Sequence, residues 1–360
     1  MPKIILVSIL IIIISAVFSY AAKALVPKDV TVIDPNNPDI LYTGRVDFTN
    51  PLAPRFDWPG VMVQANFTGT CCGIILEDSG SNDYNVFIDG RQMKNIKAKK
   101  GLSVYMISRS LKTGSHSLLI TKRTEGYDGI CSFKGLVIAK GESILPPPQR
   151  PKKKIEFIGD SITVGFGIEG PGIKCSEERK YKNNYLAYGP VASRMLDAEC
   201  HIEAISGRGV VRNWAEKGKV SNDPMPSYFN RTCQNDPDLK WDFKSWVPDA
   251  VVINLGANDF STEPKPDRDV FITGYLDLIK TVRNHYKDAD IFCVLGPAQQ
   301  PPFYDYMDII FSQVNDRKVH KLTLRPVPQD ELGCDWHPNV KANKKMADEL
   351  VKQIKETLGW

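Results

Sequence analysis

The pattern of hydrophobic and polar positions divides the chain into two parts. Between residues 27 and 145, short stretches of alternating apolar and polar residues recur, separated by turn signals such as Asp89-Gly90 and Thr113-Gly114. Such alternation is typical of β-strands with one buried face, and no long helical period interrupts it. We therefore predict an all-β unit, an antiparallel sandwich or jelly roll. Its strands are expected at residues 61–67, 73–76, 84–88, 103–107, 116–121 and 133–138.

From residue 154 to residue 360, apolar runs alternate with helix-like stretches. Strands are expected at 155–158, 202–205, 250–255, 291–295 and 319–324, and helices at 188–196, 270–286, 304–315 and 339–358. This alternation favours an α/β domain in which a central parallel sheet is covered by helices on both faces, a three-layer α/β/α arrangement. The Pro- and Lys-rich segment 146–153 between the two units is predicted to be a stiff, extended linker.

The N-terminus has the pattern of a secretory signal peptide. Lys3 is followed by an apolar run from Ile4 to Val17 and then by small residues as far as Ala24. The run is shorter than the ~20 residues that span a bilayer, so we favour a cleaved signal peptide at 1–24 over an uncleaved anchor. This predicts a secreted, extracellular protein without stable membrane association after cleavage.

Charge and cysteine content narrow the picture further. The net charge of +4 gives no case for a nucleic-acid partner, and we expect a soluble monomer. Eight cysteines in an oxidising compartment predict some disulfides. Cys175 and Cys233 lie in polar loops and are candidates to pair, whereas Cys200 and Cys293 lie in apolar strands and are expected to be buried thiols. The spacings lack the repeated Cys-x-x-Cys form of a zinc site.

Four short blocks carry the candidate chemistry. They are Gly-Asp-Ser-Ile-Thr (159–163), Ser-Gly-Arg-Gly (206–209), Gly-Ala-Asn-Asp (256–259) and Asp-Trp-His-Pro (335–338). The first three follow predicted strands, and ligands of open α/β sheets bind beyond the carboxyl ends of the strands. Each block alone also fits a structural turn or helix cap, but all four in this order favour one active site.

The residue types in these blocks meet the needs of acyl transfer through a serine ester. Ser161 is the candidate nucleophile and His337 the candidate general base. The Ser161 and Gly207 N–H groups and the Asn258 side-chain amide are candidate oxyanion donors. Gly209 is an equally small neighbour of Gly207, so the donor assignment is open by a residue or two.

In these four blocks, the second half of the chain resembles the SGNH (GDSL-type) hydrolases. The first half, with Phe-Asp-Trp-Pro-Gly at 56–60 and Val-Phe-Ile-Asp-Gly at 86–90, makes the whole similar to the two-domain enzymes of carbohydrate esterase family 2. The resemblance implies a secreted serine esterase that removes O-acetyl groups from acetylated xylan and glucomannan, often from the primary 6-hydroxyl. It also implies an acetyl-enzyme intermediate and no metal or other cofactor.

The last block departs from the pattern of this family. Many SGNH enzymes carry Asp three residues before the histidine, where this chain has Cys334. Asp335 is only two residues before His337, and in an extended segment its carboxylate would lie on the same side as the ring. We therefore take Asp335 as a supporting catalytic residue; the alternative is a Ser–His dyad in which a backbone carbonyl accepts the Nδ1 proton.

Substrate recognition is the least determined part of the prediction. Trp336 and Trp214 are candidates to stack on sugar rings, with core packing as the alternative for each. An SGNH esterase for another acyl substrate, such as a lipid, a small ester or a sialic acid, is the second functional hypothesis. A non-catalytic carbohydrate-binding protein is the third.

Overall fold

The computed structural model describes residues 26–176 and 178–360. The predicted signal peptide lies outside these residues. The strands of the first half are short and antiparallel: β1 Val30–Ile33, β2 Leu41–Thr43, β3 Arg55–Phe56, β4 Met62–Thr68, β5 Cys72–Asp78, β6 Asp83–Ile88, β7 Arg91–Gln92, β8 Ile96–Lys97, β9 Gly101–Ser108, β10 Ser115–Lys122, β11 Cys131–Ala139 and β12 Ile144–Leu145.

These strands form two antiparallel sheets. One has the order β1-β11-β5-β9 with β3 paired to β11, and the other the order β12-β4-β10-β6-β7 with β2 and β8 at its margins. The inward side chains of both sheets, including Phe67, Leu76 and Val86, share one core from which water is excluded. The predicted antiparallel sandwich is confirmed, and each predicted strand is present. Among the described residues, the strands of two or three residues, such as β2 and β3, were not predicted. An alternating pattern cannot be recognised over so few positions.

The second half contains a five-stranded parallel sheet with the order β14-β13-β15-β16-β17. Its strands are β13 Lys153–Gly159, β14 Ala198–Ala204, β15 Ala250–Asn254, β16 Asp290–Leu295 and β17 Val319–Thr323. The α-helices are α1 Ser161–Val164, α2 Tyr188–Met195, α3 Ala257–Phe260, α4 Arg268–His285, α5 Phe303–Gln313 and α6 Val340–Leu358. Turns of 3₁₀-helix lie at Gly126–Asp128, Arg179–Tyr181, Asn184–Leu186, Met225–Ser227, Gln329–Glu331 and Cys334–Trp336.

Helices cover both faces of this sheet. On one face, side chains of α2 and α6 such as Ala192 and Leu350 pack with Phe157 of β13. On the other face, Phe271 of α4 and Met307 of α5 pack in the core that also contains strand residues of β15. The predicted three-layer α/β/α arrangement is confirmed. Among the described residues, none of the helices is long and apolar enough to span a bilayer.

The two halves are joined by buried polar contacts as well as by the chain between them. Arg45 of the sandwich lies 2.8 Å from the Glu156 carboxylate and 3.0 Å from that of Glu203, and all three side chains are fully buried. The Trp58 indole N–H donates to the Thr232 carbonyl oxygen at 3.0 Å. A buried charge is costly unless it is paired, so these contacts favour one fixed arrangement of the two halves.

The structure corrects the expected cysteine pairing. Cys175 forms a disulfide with Cys334, with a Cα–Cα distance of 5.0 Å. Cys233 is a buried free thiol at the interface of the two halves, where its Sγ faces the Arg55 carbonyl oxygen. A polar sequence around Cys233 suggested an exposed loop, but the sandwich covers that loop. Cys200 and Cys293 are buried free thiols, as predicted.

Candidate active site

Ser161 lies at the first turn beyond strand β13. Asp160 is the N-cap of helix α1, and its carboxylate accepts a hydrogen bond from the Ile162 N–H at 3.1 Å. Ser161 is therefore the first helical residue, and its N–H is one of the donors that a helix N-terminus leaves without an internal partner. Gly159 is required for this tight turn, because a Cβ at that position would lie 2.0 Å from the Thr163 Oγ1.

His337, the predicted general base, lies within hydrogen-bonding distance of Ser161, the predicted nucleophile. Its Nε2 lies 2.7 Å from the Ser161 Oγ, and its Nδ1 lies 2.8 Å from the backbone carbonyl oxygen of Asp335. That carbonyl fixes Nδ1 as the protonated nitrogen, which leaves Nε2 free to accept the serine proton. The ring of Phe166 supports the imidazole, with 4.6 Å between the ring centroids.

The expected contact between the Asp335 carboxylate and the His337 ring is therefore corrected. We reasoned that an extended segment would bring this side chain to the ring, but the segment is not extended. Asp335 has φ 51° and Trp336 has φ 62°, so the backbone turns through two consecutive left-handed residues before His337. This turn presents the Asp335 carbonyl oxygen, rather than its carboxylate, to Nδ1. This geometry matches the Ser–His dyad that the sequence left as the alternative, in which a backbone carbonyl accepts the Nδ1 proton.

The loop that carries His337 is fastened on both sides. The Cys334 N–H donates to the Gly167 carbonyl oxygen at 3.1 Å, and the Gly333 N–H donates to the His337 carbonyl oxygen at 2.7 Å. The disulfide from Cys334 to Cys175 adds a covalent link across 159 positions of the chain. Two non-glycine residues in the left-handed region cost about 1–2 kcal/mol each, and these contacts hold them there.

Burial lowers the pKa of His337 below the usual value of an imidazole, and the Asp335 carbonyl acts in the opposite direction. The physical reason is that the positive ring loses hydration in this partly buried position. A lowered pKa keeps the ring neutral around pH 7, the form that a general base needs.

Of the candidate oxyanion donors, Asn258 lines the cleft with Ser161 and His337, whereas Gly207 is not among the lining residues. The Asn258 Nδ2 donates to the Arg208 carbonyl oxygen at 2.9 Å. Gly207 has φ 79°, a left-handed conformation suited to glycine, and within the described part of the chain nothing accepts a hydrogen bond from its N–H. The Gly209 N–H donates to Asn213 Oδ1 at 3.2 Å, so Gly207 is the better donor.

Asp259 holds the segment 206–213, which we call the oxyanion loop. Its carboxylate accepts hydrogen bonds from the N–H groups of Val210, Val211 and Arg212 at 2.8–2.9 Å. From sequence, the block 256–259 that contains Asp259 was also compatible with a structural turn or helix cap. Burial raises the pKa of Asp259 to about 6 and that of Asp160 to about 7. Two buried carboxylates therefore organise the nucleophile and the oxyanion loop from beneath.

Ser161, Asn258 and His337 open onto one cleft with a volume of about 840 Å³. Its walls carry both predicted tryptophans, Trp214 and Trp336, each 62% exposed. The remaining lining residues are mostly polar or small: Ile162, Ala257, Phe260, Ser261, Thr262, Glu263, Lys265, Ala298, Gln300, Pro301, Asp335 and Pro338. Core packing, the alternative considered for both tryptophans, is excluded by their exposure.

The other histidines have structural contacts. His116 bonds Asp89, His320 bonds Asp290, and His201 and His285 stack on Trp246 and Phe243. In the described ranges, no cluster of three or more His, Cys, Asp or Glu side chains is arranged to hold a metal ion.

Sequence reasoning missed the residues that act on the site from a distance. Phe166 against His337, Asp259 beneath the oxyanion loop and the Cys175–Cys334 bond all depend on contacts that no local pattern reports. The one available signal was the position of Cys334, which replaces the aspartate expected three residues before His337.

The fold and the site together define a hydrolase of the GDSL type, and comparison with known proteins gives the same class. Residues 157–345 match the GDSL-like Lipase/Acylhydrolase family, and residues 42–148 match the family described as Carbohydrate esterase 2 N-terminal. A solved structure of a family two carbohydrate esterase from Clostridium thermocellum, in complex with cellohexaose, is 33% identical with a TM-score of 0.85, covering 89% of this chain and 99% of that chain. The chain therefore belongs to carbohydrate esterase family 2, and is a carboxylic ester hydrolase.

Two curated relatives agree with this placement. The cellulase/esterase CelE of Acetivibrio thermocellus is 35% identical over 92% of this chain, which spans only 41% of the length of CelE. An acetylxylan esterase / glucomannan deacetylase of Cellvibrio japonicus is 28% identical over 86% of this chain and 87% of its own length.

Proposed function

We propose that this protein is a secreted serine esterase that removes O-acetyl groups from plant polysaccharides such as acetylated xylan and glucomannan. The observation that carries the proposal is the Ser161–His337 pair at the floor of a cleft walled by two exposed tryptophans. Flat aromatic faces suit sugar rings, and the polar side chains of Ser261, Thr262 and Gln300 line the same cleft. The names of the Cellvibrio japonicus relatives support the same substrate class.

Acylation would begin with attack of the Ser161 Oγ on the acetyl carbonyl carbon. The hydroxyl proton passes to His337 Nε2, across the 2.7 Å contact. Hydrogen bonds donated by the N–H groups of Ser161 and Gly207 and by the Asn258 amide stabilise the negative charge that develops on the carbonyl oxygen. His337 then gives the proton to the sugar oxygen as the carbon–oxygen bond breaks, which leaves an acetyl group on Ser161.

Deacylation repeats these steps with water. His337 takes a proton from a water molecule, whose oxygen attacks the acetyl carbon and re-forms the oxyanion. Collapse of this intermediate breaks the bond to Ser161 Oγ, which recovers a proton from His337, and acetate leaves. Throughout both steps the Asp335 carbonyl oxygen stabilises the positively charged ring through its hydrogen bond with Nδ1.

The proposal is tested by measuring acetate release from acetylated glucomannan, acetylated xylan and a small aryl acetate. We expect release from all three by the wild type and none by Ser161→Ala. The cleft is tested by Trp336→Ala and Trp214→Ala, which should raise KM for the polysaccharides and leave hydrolysis of the aryl acetate within about threefold.

The other outcomes separate the remaining hypotheses. Hydrolysis of the aryl acetate without release from either polysaccharide would keep the chemistry and contradict the substrate. If the folded protein releases acetate from none of the three substrates, the result would favour a non-catalytic carbohydrate-binding role. Location is tested separately, by sequencing the N-terminus of the protein recovered from culture medium, where a start after residue 24 is expected.

A further inference from the structure

We propose that Glu125, a residue of the β-sandwich, is a positioning residue for the oxyanion loop of the catalytic half. Its carboxylate is fully buried and accepts hydrogen bonds from both the N–H and the Oγ–H of Ser206, each at 2.8 Å. Ser206 directly precedes Gly207, the candidate oxyanion donor. The proposal rests on the esterase activity proposed above and assigns the sandwich a part in it.

The local structure of the sandwich fixes where Glu125 points. Glu125 is the N-cap of the 3₁₀ turn Gly126–Asp128, and its own N–H donates to the Asp128 carboxylate at 3.3 Å. The Glu125 carboxylate also pairs with Lys182 of the catalytic half at 3.1 Å. A buried carboxylate is tolerated only when its lone pairs are satisfied, and here the satisfying groups belong to the other half of the protein. The position of Ser206 is thereby set by how the sandwich docks.

Glu125 also lies close to the base side of the site. The Lys182 ammonium lies 5.7 Å from the centre of the Phe166 ring, and that ring supports His337 at 4.6 Å. Burial lowers the pKa of His337, and the charge of Glu125 is among the smaller influences in the opposite direction. One sandwich residue therefore lies beside both the oxyanion loop and the packing behind the base.

The expected consequence is on the chemical step. An N–H group that donates its hydrogen bond only as the oxyanion forms stabilises the transition state and contributes little to substrate binding. Displacement of such a donor by about 1 Å can cost up to ~100-fold in rate. Loss of the Glu125–Ser206 contacts should therefore lower kcat and leave KM nearly unchanged.

The test is steady-state kinetics on a small aryl acetate with Glu125→Ala and Glu125→Gln. We expect Glu125→Ala to lose about tenfold or more in kcat with KM within about threefold. Glutamine can still accept from the Ser206 N–H, but its amide NH2 then faces Lys182 where Oε1 of the carboxylate lay, so Glu125→Gln should recover only part of kcat. Wild-type kcat in Glu125→Ala would overturn the proposal.

Asp57→Ala provides a matched control. Asp57 is also a fully buried sandwich carboxylate that accepts two backbone N–H groups of the catalytic half, from Gln234 at 2.7 Å and Asn235 at 2.9 Å. Its partners are not in the oxyanion loop. Asp57→Ala should lower the melting temperature as Glu125→Ala does, yet retain wild-type kcat. An equal loss of kcat in both variants would show a general effect of weaker docking and contradict the specific role of Glu125.

Ser206→Ala keeps the test decisive if Glu125→Ala does not fold. This change removes the Oγ contact and leaves the N–H contact, so kcat should fall about threefold or more at unchanged KM. The rate at which an aryl phosphonate labels Ser161 should fall in parallel, because the phosphonyl oxygen uses the same donors. Unchanged kcat and labelling in Ser206→Ala would overturn the proposal. A different result would contradict only the proposed esterase activity: wild-type protein that does not hydrolyse the aryl acetate, but whose Ser161 is labelled faster than that of Glu125→Ala.

Discussion

Ser161 and His337 meet across a single hydrogen bond, but the protein holds them by different means. Ser161 stands at the junction of a central strand and a helix, where a buried capping carboxylate and ordinary backbone geometry fix it. His337 stands in a loop with two left-handed non-glycine residues, fastened by a disulfide and by contacts to the segment that follows helix α1.

The difference shows which of the two side chains is less sensitive to the loss of local contacts. The position of Ser161 follows from the fold itself, so it is kept as long as the sheet is folded. The position of His337 depends on a few local restraints, each of which can be removed singly without unfolding the sheet. The experiments below are chosen to break one side of the pair at a time, beginning with the largest expected effect.

Removal of either member of the pair should nearly abolish activity. We expect Ser161→Ala and His337→Ala each to lower kcat by at least ~1,000-fold, because the nucleophile and its base act as one unit. The double variant should be no slower than either single variant. Melting temperatures near the wild-type value would confirm that chemistry alone was lost, whereas substantial residual turnover in Ser161→Ala would contradict the serine mechanism.

Removal of the side-chain oxyanion donor should cost about 100-fold in kcat, roughly 3 kcal/mol, with a small change in KM. The variant is Asn258→Ala, measured on a small aryl acetate. Asn37→Ala serves as the control, because Asn37 lies in a turn of the sandwich, where its Oδ1 accepts a hydrogen bond from the Asp39 N–H at 2.9 Å, and does not line the cleft. A large effect on KM with kcat intact would place Asn258 in substrate binding instead.

Cleavage of the disulfide should affect only the base side. Cys175→Ser, or reduction of the wild type by a thiol reagent, is expected to lower kcat about tenfold and to destabilise the fold by about 2–5 kcal/mol. The buried thiols Cys200 and Cys293 offer a control, since Cys→Ser at either position tests thiol loss away from the loop. If reduced enzyme keeps full activity at temperatures where it stays folded, the loop is held by its hydrogen bonds alone.

The pH dependence of kcat/KM should show whether protonation of His337 or protonation of Asp160, beside Ser161, limits activity. Only neutral His337 can accept the serine proton, and burial lowers its pKa, so activity should persist below pH 6.5 and then fall tenfold per pH unit. Asp160 beside the nucleophile has a pKa of about 7 and is protonated below that value. An acid limb near pH 7 that disappears in Asp160→Asn would assign the dependence to the nucleophile side and contradict the expectation.

The smallest effect is expected at Asp335. Because its backbone carbonyl oxygen, and not its carboxylate, bonds His337 Nδ1, Asp335→Asn should change kcat less than about threefold. Asparagine tolerates the left-handed conformation of this position, so the loop should keep its shape. A loss of tenfold or more would restore a catalytic role for the carboxylate and refute the dyad.

The same contrast explains how far the sequence could predict the molecule. The strands around Ser161, Gly207 and Asn258 were predicted because burial leaves a periodic apolar signal, and their order placed the three blocks at one edge of the sheet. The pairing of Cys175 with Cys334 and the support of Ser206 by Glu125 were not predicted. They join segments 159 and 81 positions apart, and only the docking of loops and domains brings them together.

The carboxylate role assumed for Asp335 failed for a related reason. The argument from alternation holds in an extended strand, and the segment before His337 contains two left-handed residues that reverse it. Aspartate is enriched in the left-handed region, but one such residue does not predict the turn, and tryptophan has no preference for it. Exposed functional loops are the places where tertiary restraints override local preference.

Trp336 has a left-handed backbone and an indole exposed at the cleft, so the residue that suits its backbone and the residue that suits its place in the cleft differ. At this φ of 62°, glycine is the residue that the backbone prefers. Selection for the stability of this turn would favour glycine at position 336, and selection for the sugar stacking proposed above would favour tryptophan. The residue found at position 336 in related chains would therefore show whether stability of the turn or contact with the substrate was under stronger selection.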